Sequence, residues 1–313
     1  MAKEYPMTFD EFERKFATEN DCRDYLFGLR FPTGFVCPKC GGSKYWRIVE
    51  SLYECTDCGH QTSVMAGTIF QDSKKPLRTW FIAVWWITTQ KYGASATGLK
   101  QVLGLKSDKT AWTWLHKIRK AMVFPNRTKL NSKVEVDETY VGGDETDGKS
   151  GRGTENKTLV VIALEIGGNN ALGRVRMKVI ADASAESLRP FIINNVEKGT
   201  EVVTDGWSGY AFVNKEGYKH TVFVQKKAKY QEEMLPHCHL IISLLKRWLL
   251  GTHQGAVTEK YFQAYLDEYV FRFNRRKSAE RGLLFYRFLE CAMMTPPTTY
   301  EDLVNPTKIS SKP

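Results

Sequence analysis

The stretch Val134-Glu135-Val136-Asp137-Glu138-Thr139-Tyr140-Val141-Gly142-Gly143 decides the architecture of this chain. Its β-branched and aromatic residues predict a strand, which the two glycines at its end stop. A carboxylate at Asp137, next to Val136, costs free energy if it is buried without a partner, and a divalent cation is one partner that offsets this cost. The stretch therefore predicts a strand that carries an acidic residue with a function.

A second run of the same character is Glu201-Val202-Val203-Thr204-Asp205-Gly206. The interval between Asp137 and Asp205 leaves room for two more strands and a crossover helix. Two aspartates on neighbouring strands of one sheet are how a metal-dependent phosphoryl-transfer site is built. The alternative is that each aspartate only ends a strand or begins a turn.

Length and composition indicate a folded protein of several domains. The chain has 313 residues, 42% of them hydrophobic and 12% aromatic, which is enough for two or three domains with packed cores. Its net charge of +10 and pI of about 9.1 suit a polyanionic partner, either nucleic acid or an anionic membrane.

No targeting or membrane segment is recognisable in the sequence. The first residues lead directly into a helix signal at Thr8-Phe9-Asp10-Glu11, and the longest apolar run, Phe81–Ile87, is too short to cross a bilayer. The chain is therefore expected to be soluble and cytoplasmic. Seven cysteines, an odd number with four in two tight pairs, do not form a disulfide framework.

Those two pairs predict a zinc ribbon. Cys37 and Cys40 form one CxxC pair and Cys55 and Cys58 the other, and the interval between Cys40 and Cys55 suits a β-hairpin. Tetrahedral zinc takes four such thiolates, and a closed site of four cysteines is structural. A redox role would not require two pairs at this spacing. The ribbon is expected to contact DNA in preference to protein.

Apart from the ribbon, the sequence before residue 131 predicts mainly helices. A helix is predicted over residues 8–27, a buried helix over Leu77–Gln90, and a helix from Ser95 to Leu103. Gly104 then makes a short turn into another helix, which is the helix-turn-helix pattern. This second helix carries a basic surface that includes Lys109 and Lys117, which favours DNA binding, although an ordinary helical hairpin with a solvated basic face also explains it.

From residue 131 the pattern changes to strands. Further strands are predicted at Thr158–Ile166, Gly173–Ile180, Glu201–Thr204 and Thr221–Gln225, with a helix over Ser184–Val196 after the third strand. This order predicts an α/β, RNase H-like catalytic domain, a mixed sheet with flanking helices. The predicted division is residues 1–70 for the N-terminal helix and ribbon, 71–128 for the helix-turn-helix-like domain, 129–292 for the catalytic domain and 293–313 for a C-terminal tail.

A third functional residue is expected on a helix that begins near Leu235. With His239 placed at 0° and steps of about 100° per residue, Lys246 falls near 340°, whereas Ile241, Leu244, Leu245 and Trp248 cluster between about 140° and 240°. The apolar side would pack on the sheet and bring His239 to the edge of the aspartate pair. A neutral imidazole is a good metal ligand. The alternative is a helix cap or a surface histidine.

These motifs together resemble a DDE-type transposase of a bacterial insertion sequence, of the ISXO-type group with an N-terminal zinc ribbon. The resemblance covers about residues 20–290. It rests on the four ribbon cysteines and on the following runs: Val136-Asp137-Glu138-Thr139 with Gly142-Gly143, Thr204-Asp205-Gly206, His239 to Lys246-Arg247, and Phe271-Arg272-Phe273-Asn274-Arg275-Arg276.

The resemblance implies that Asp137, Asp205 and His239 are the catalytic residues and hold two magnesium or manganese ions. The ions would activate a water or a DNA 3′-hydroxyl and stabilise the leaving oxygen during strand cleavage and strand transfer. The family commonly has glutamate seven residues before the helical lysine, and some subgroups have histidine or asparagine. Here that position is His239, and Glu232 or Glu233 is an alternative third ligand.

The resemblance also implies partners. Double-stranded DNA, at the terminal inverted repeats of the element and at the target, is the expected substrate, and a homodimer or larger assembly is expected in the synaptic complex. The expected DNA-binding residues are Lys246, Arg247, Lys109, Lys117, Lys226, Lys227, Arg275 and Arg276. Two other functions stay open: an RNase H-like nuclease that cuts without joining, and a zinc-ribbon DNA-binding regulator whose carboxylates are structural.

Overall fold

The computed structural model describes residues 5–90, 92–142, 157–223, 235–254 and 257–305. The helices in these ranges are α1 Phe9–Lys15, α2 Glu19–Arg30, α3 Leu77–Thr89, α4 Ala96–Leu103, α5 Asp108–Ala121, α6 Ala185–Asn195, α7 Pro236–His253, α8 Phe262–Asn274, α9 Arg281–Met294 and α10 Tyr300–Val304. The strands are β1 Tyr45–Val49, β2 Leu52–Cys55, β3 Gln61–Thr62, β4 Lys133–Val141, β5 Thr158–Ile166, β6 Leu172–Val179, β7 Glu201–Thr204 and β8 Lys219–Val222. The chain divides into two compact units, Met1–Pro125 with Lys277–Pro313, and Asn126–Arg276.

The first unit contains the predicted ribbon hairpin. β1 pairs antiparallel with β2, as predicted, and β2 pairs with the short β3 to complete a three-stranded sheet. The helix predicted over residues 8–27 is two helices. The Thr18 hydroxyl accepts a hydrogen bond from Asp21 N, and the Asp21 carboxylate accepts one from Thr18 N at 2.7 Å. This reciprocal cap begins α2 and breaks the helix after α1.

The predicted helical hairpin is also present. Ser95 Oγ accepts a hydrogen bond from Gly98 N at 3.0 Å and begins α4. Gly104, with a φ of 59°, ends α4 in the left-handed conformation that glycine adopts without strain. Helix α9, which the predicted division assigned to the catalytic domain, packs against α3 in this first unit, where the Phe285 ring lies 5.6 Å from those of Phe81 and Trp85.

The second unit is built on a five-stranded mixed sheet in the order β6-β5-β4-β7-β8. β4, β5 and β6 form an antiparallel meander, whereas β7 and β8 run parallel to β4. β8 begins at Lys219, two residues before the predicted start, because Lys219 already pairs with Glu201. This arrangement of a meander, a crossover helix and parallel strands confirms the predicted α/β, RNase H-like architecture.

Alternation along β4 directs its side chains to two separate cores. Val134 and Val136 are fully buried in the core that includes α6. Glu135 and Asp137 point to the other face, where α7 and α8 cover the sheet. The acidic residues of β4 at odd positions therefore face α7.

Side chains of α8 and the residues just after it close the outer edge of β6. The Asn274 amide accepts from Val175 N at 2.7 Å and donates to Val175 O at 3.1 Å. Gln263 accepts from Val179 N at 2.9 Å, and the Arg276 guanidinium donates to Gly173 O at 3.2 Å. An open edge strand is a template for pairing with another chain, and these contacts occupy groups on which such pairing depends.

Within the described ranges, no helix combines the length and apolarity needed to cross a bilayer.

Candidate active site

Asp137 and Asp205 lie at the same level on neighbouring parallel strands. β4 pairs with β7 so that Glu135 faces Val203. Asp137 follows Glu135 by two residues, and Asp205 follows Val203 by two residues, so this register, continued beyond the last paired residues, sets the aspartates side by side. The structure therefore brings the two aspartates to neighbouring positions on adjacent strands of the sheet.

The turn after β7 orients the carboxylate of Asp205. Gly206 has a φ of 86°, in the left-handed region, which reverses the chain so that Trp207 N donates to Asp205 Oδ1 at 2.9 Å. The preceding Thr204 is fully buried, and its hydroxyl lies 2.9 Å from His220 Nε2 on β8. Both sides of Asp205 are thus fixed by hydrogen bonds.

The electrostatic environment of Asp137 favours a cation. Its side chain is 14% exposed, and burial is the largest cause of its raised pKa. The charges of Asp205 and Glu135 raise the pKa further, whereas the Glu138 N–H, 2.9 Å from Asp137 Oδ1, and His239 lower it. A divalent ion beside Asp137 would offset this concentration of negative charge.

Helix α7 places His239 beside Asp137. His239 Nε2 lies 3.5 Å from Asp137 Oδ2. The predicted helix face is observed, since Ile241 and Leu245 are fully buried against the sheet and Lys246 is exposed. The helix thus holds its apolar residues on the sheet while its first turn reaches the carboxylates.

The contact between Glu135 and the start of α7 is not evident in the sequence. Glu135 is 5% exposed, and its Oε1 lies 2.6 Å from His237 Nδ1 while its Oε2 accepts from Cys238 N at 3.0 Å. The helical pattern by itself puts His237 about 160° around the helix from His239 and predicts that His237 tolerates substitution. The signal that was available is Glu135 itself, a carboxylate two residues before Asp137 and on the same strand face.

A second contact that the sequence did not reveal lies on the opposite face of β4. The Tyr210 hydroxyl, in a fully buried side chain, donates a hydrogen bond to Glu138 Oε2. Burial, followed by the charges of Asp137 and Asp205, raises the pKa of Glu138 from 4.5 to about 7, against the effect of the Tyr210 hydrogen bond. A large share of Glu138 is therefore protonated near neutral pH, where it still accepts from Tyr210.

The side chains of Asp137, Asp205 and His239 offer donor atoms that suit a divalent ion, although these atoms do not all lie close to one another. In the described parts of the chain, the four ribbon cysteines are the one group of three or more Cys, His, Asp or Glu whose ligand atoms all lie within 4.8 Å of one another. Asp205 therefore lies farther than this from Asp137 or from His239. Carboxylate oxygens and an imidazole nitrogen are donors that magnesium and manganese accept. The alternative ligands Glu232 and Glu233 lie outside the described residues.

The ribbon sulfurs match a tetrahedral zinc site. Cys37 Sγ and Cys58 Sγ are 3.7 Å apart, and Cys40 Sγ and Cys55 Sγ are 3.6 Å apart. Four zinc–sulfur bonds of about 2.3 Å at tetrahedral angles require sulfur–sulfur distances of about 3.8 Å. All four cysteines are free of disulfides. Their arrangement is that of a zinc ribbon.

The predicted DNA-binding residues of the second unit have different environments. Lys246 and Arg247 are both exposed on α7. Arg275 lies with its guanidinium 4.1 Å from the centre of the Phe271 ring. The Arg276 guanidinium donates hydrogen bonds to backbone carbonyls of β6 and so caps that strand. Lys226 and Lys227 lie outside the described residues.

In the first unit, α10 covers part of the basic surface of α5. The Lys109 ammonium lies 3.9 Å from the centre of the Tyr300 ring, and Lys120 Nζ donates to Thr298 Oγ1 at 2.7 Å. Burial lowers the pKa of Lys117, against the charges of Asp72 and Asp302. The predicted recognition surface is therefore partly occupied by the C-terminal segment.

Two parts of the chain match known protein families. Residues 129–274, which contain Asp137, Asp205 and His239, match the family described as ISXO2-like transposase domain. The chain carries an ISXO2-like transposase domain. Residues 17–61, which contain the four ribbon cysteines, match the transposase zinc-ribbon domain. The matched range of the transposase domain lies entirely within the second compact unit, which begins at Asn126 and ends at Arg276.

Two individual proteins are similar to this chain. One is the uncharacterized protein in transposable element ISH50 of Halobacterium salinarum, which is 28% identical over 285 residues, covering 83% of this chain and 94% of that protein. The other is the catalytic core domain of BIV integrase, whose crystal structure aligns with a TM-score of 0.33 at 15% identity, over 58% of this chain and 99% of that one.

Proposed function

We propose that this protein binds the ends of its insertion sequence and catalyses metal-dependent DNA strand cleavage followed by strand transfer. The observation that carries the proposal is the matched position of Asp137 and Asp205 on β4 and β7, with His239 of α7 at 3.5 Å from Asp137. Catalysis of phosphoryl transfer depends on positioning and on stabilising charge, and this arrangement supplies fixed anionic ligands on two neighbouring strands of the sheet.

The residues would take distinct roles. Asp137 and Asp205 would hold magnesium or manganese, with His239 as the third ligand, and Trp207 N would keep the Asp205 carboxylate oriented through its 2.9 Å hydrogen bond. When bound, two such ions activate the attacking oxygen and stabilise the leaving oxygen. Lys246, two turns beyond His239 and exposed, would meet the phosphate backbone.

The first unit would supply binding and structural support. The ribbon cysteines would hold one structural zinc ion, and the ribbon and the α4–α5 hairpin would contact the double-stranded terminal repeats. Capture of two element ends calls for at least a homodimer in the synaptic complex. We place the protein at the bacterial nucleoid in the cytoplasm, where the DNA of the element lies.

A cleavage and joining assay tests this function. Duplexes carrying the DNA that flanks the coding region are incubated with a target plasmid and magnesium or manganese. We expect the unsubstituted protein to cut and join, whereas Asp137→Asn and Asp205→Asn lose both reactions and keep DNA affinity within about threefold, because affinity comes from Lys and Arg. Asp182→Asn is the matched control, because Asp182 accepts from Ser184 at the start of α6 and should leave both reactions intact.

The same assay separates the alternatives. Cleavage without joining would indicate a nuclease, and DNA binding without any metal-dependent cleavage would indicate a regulator. Substantial cleavage by Asp137→Asn or Asp205→Asn would show that the proposed residues are not the metal ligands.

A further inference from the structure

We propose that Glu135 is a positioning residue that fixes the first turn of α7 on β4 and thereby holds His239 at Asp137. This inference deepens the proposed function and rests on it. Both carboxylate oxygens of Glu135 engage α7, at His237 Nδ1 and at Cys238 N. Glu135 therefore acts on the helix that carries the proposed third ligand.

The start of α7 depends on a cap supplied from elsewhere in the chain. Leu235, the residue before the helix, has a φ of 49° and makes no side-chain hydrogen bond to the first turn. The first backbone N–H groups of a helix have no partner within it and need an acceptor. Glu135 Oε2 accepts from Cys238 N at 3.0 Å, and a negative charge at a helix N-terminus is stabilising. The Glu135 carboxylate on β4 therefore caps the N-terminus of α7 in place of a residue next to the helix.

Two parallel contacts join one strand to one helical turn. Glu135 and Asp137 are two residues apart on the same face of β4, and they meet His237 and His239, which are two residues apart on α7. The Glu135 contact is short at 2.6 Å and buried, whereas the His239 contact is 3.5 Å long and lies at a partly exposed side chain. The buried contact should therefore determine the position of the helix, and the His239 contact follows from it.

Cys238 provides a probe of this turn that does not require activity. Its side chain is fully buried, and its N–H is the group that Glu135 caps. We would alkylate the folded full-length protein with iodoacetamide and follow Cys238 by peptide mass mapping. The variants are Glu135→Ala and Glu135→Gln, because glutamine can still accept from Cys238 N and donate to His237 Nδ1. The control is Glu165→Ala, which removes a mostly buried carboxylate that pairs with Arg174 on the other sheet face.

We expect Glu135→Ala to raise the labelling rate of Cys238 about tenfold relative to Glu165→Ala, as the loss of a helix cap predicts, and Glu135→Gln to stay within about threefold of the unsubstituted protein. Calorimetric titration should show manganese affinity about 10- to 100-fold weaker in Glu135→Ala and little changed in Glu165→Ala. Equal labelling of Cys238 in both alanine variants, or unchanged manganese affinity in Glu135→Ala, would overturn the inference.

These measurements separate the two proposals. Labelling and metal affinity are read without DNA, so the positioning role can hold even if the unsubstituted protein fails to join DNA. Conversely, full joining activity by the unsubstituted protein together with unaltered Cys238 labelling in Glu135→Ala would retain the function and reject the positioning role.

Discussion

Replacing Glu138 by glutamine tests the electrostatics of the sheet around the two aspartates. The Glu138 carboxyl accepts a hydrogen bond from the Tyr210 hydroxyl, and its pKa is raised from 4.5 to about 7, first by burial and then by the charges of Asp137 and Asp205. Glutamine keeps an acceptor for Tyr210 and removes the charge. The variant should therefore be more stable than the unsubstituted protein at each pH at which Glu138 is ionised in the unfolded, unsubstituted chain.

The sign and size follow from proton linkage. Between pH 4.5 and about 7 the folded protein keeps a proton on Glu138 that the unfolded chain has released, so the free energy of unfolding falls as the pH rises through this window. At about 1.4 kcal/mol for each pH unit, the full effect is about 3 kcal/mol. Since the carboxyl is partly exposed, solvent screening reduces it to roughly 1–2 kcal/mol.

Urea unfolding near pH 5.5 and near pH 8, without added divalent ions, measures this effect. We expect Glu138→Gln to gain roughly 1–2 kcal/mol near pH 8 and about half of that or less near pH 5.5. The control is Glu165→Gln. Burial acts to raise the pKa of Glu165, but hydrogen bonds from Arg174 and Asn131 hold it below its usual value, so this variant should lose stability at both pH values. A Glu138→Gln protein that gains nothing, or gains equally at both pH values, would refute the reasoning.

Further predictions concern the ribbon and the two histidines. Cys37→Ser should lower bound zinc from one ion per chain towards none by metal analysis, while circular dichroism still shows the sheet of residues 126–276 folded; retention of the zinc would contradict the four-cysteine site. His239→Ala should abolish strand cleavage of an element-end duplex, and His239→Glu should recover part of it. His237→Ala should lower cleavage less than His239→Ala but measurably, because it removes a partner of the buried Glu135; unchanged cleavage by His237→Ala would restore the tolerance expected from the sequence.

Local rules predicted much of the fold. The strand Thr158–Ile166 was predicted correctly because a run of β-branched and apolar residues bounded by polar segments strongly favours a buried strand. Ser95, Ser184 and Gly104 marked helix ends because their capping chemistry acts on the adjacent backbone. The ribbon followed from the spacing of its cysteines, which zinc geometry constrains closely.

Contacts between distant segments could not be predicted in the same way. Glu135 looks like a solvent-facing residue of an alternating strand, and only the packing of α7 against β4 turns it into a cap for a helix that lies far along the chain. The charge of Arg276 suggested DNA, and only the position of α8 beside β6 shows its guanidinium on the backbone carbonyls of that strand. In both cases the side chain has several possible partners, and the tertiary fold selects one.

The pairing of β4 with β7 fixes the relative position of the two aspartates, whatever the length of the chain between them. Backbone pairing sets Asp205 level with Asp137, so residues gained or lost in the intervening connections leave the distance between the carboxylates unchanged. A slip of one residue between the strands would do the opposite, because it would turn Asp205 to the other face of the sheet. Over evolution the connecting segments can therefore drift in length, while selection must act closely on the short strand β7, Glu201–Thr204, that keeps this pairing in place.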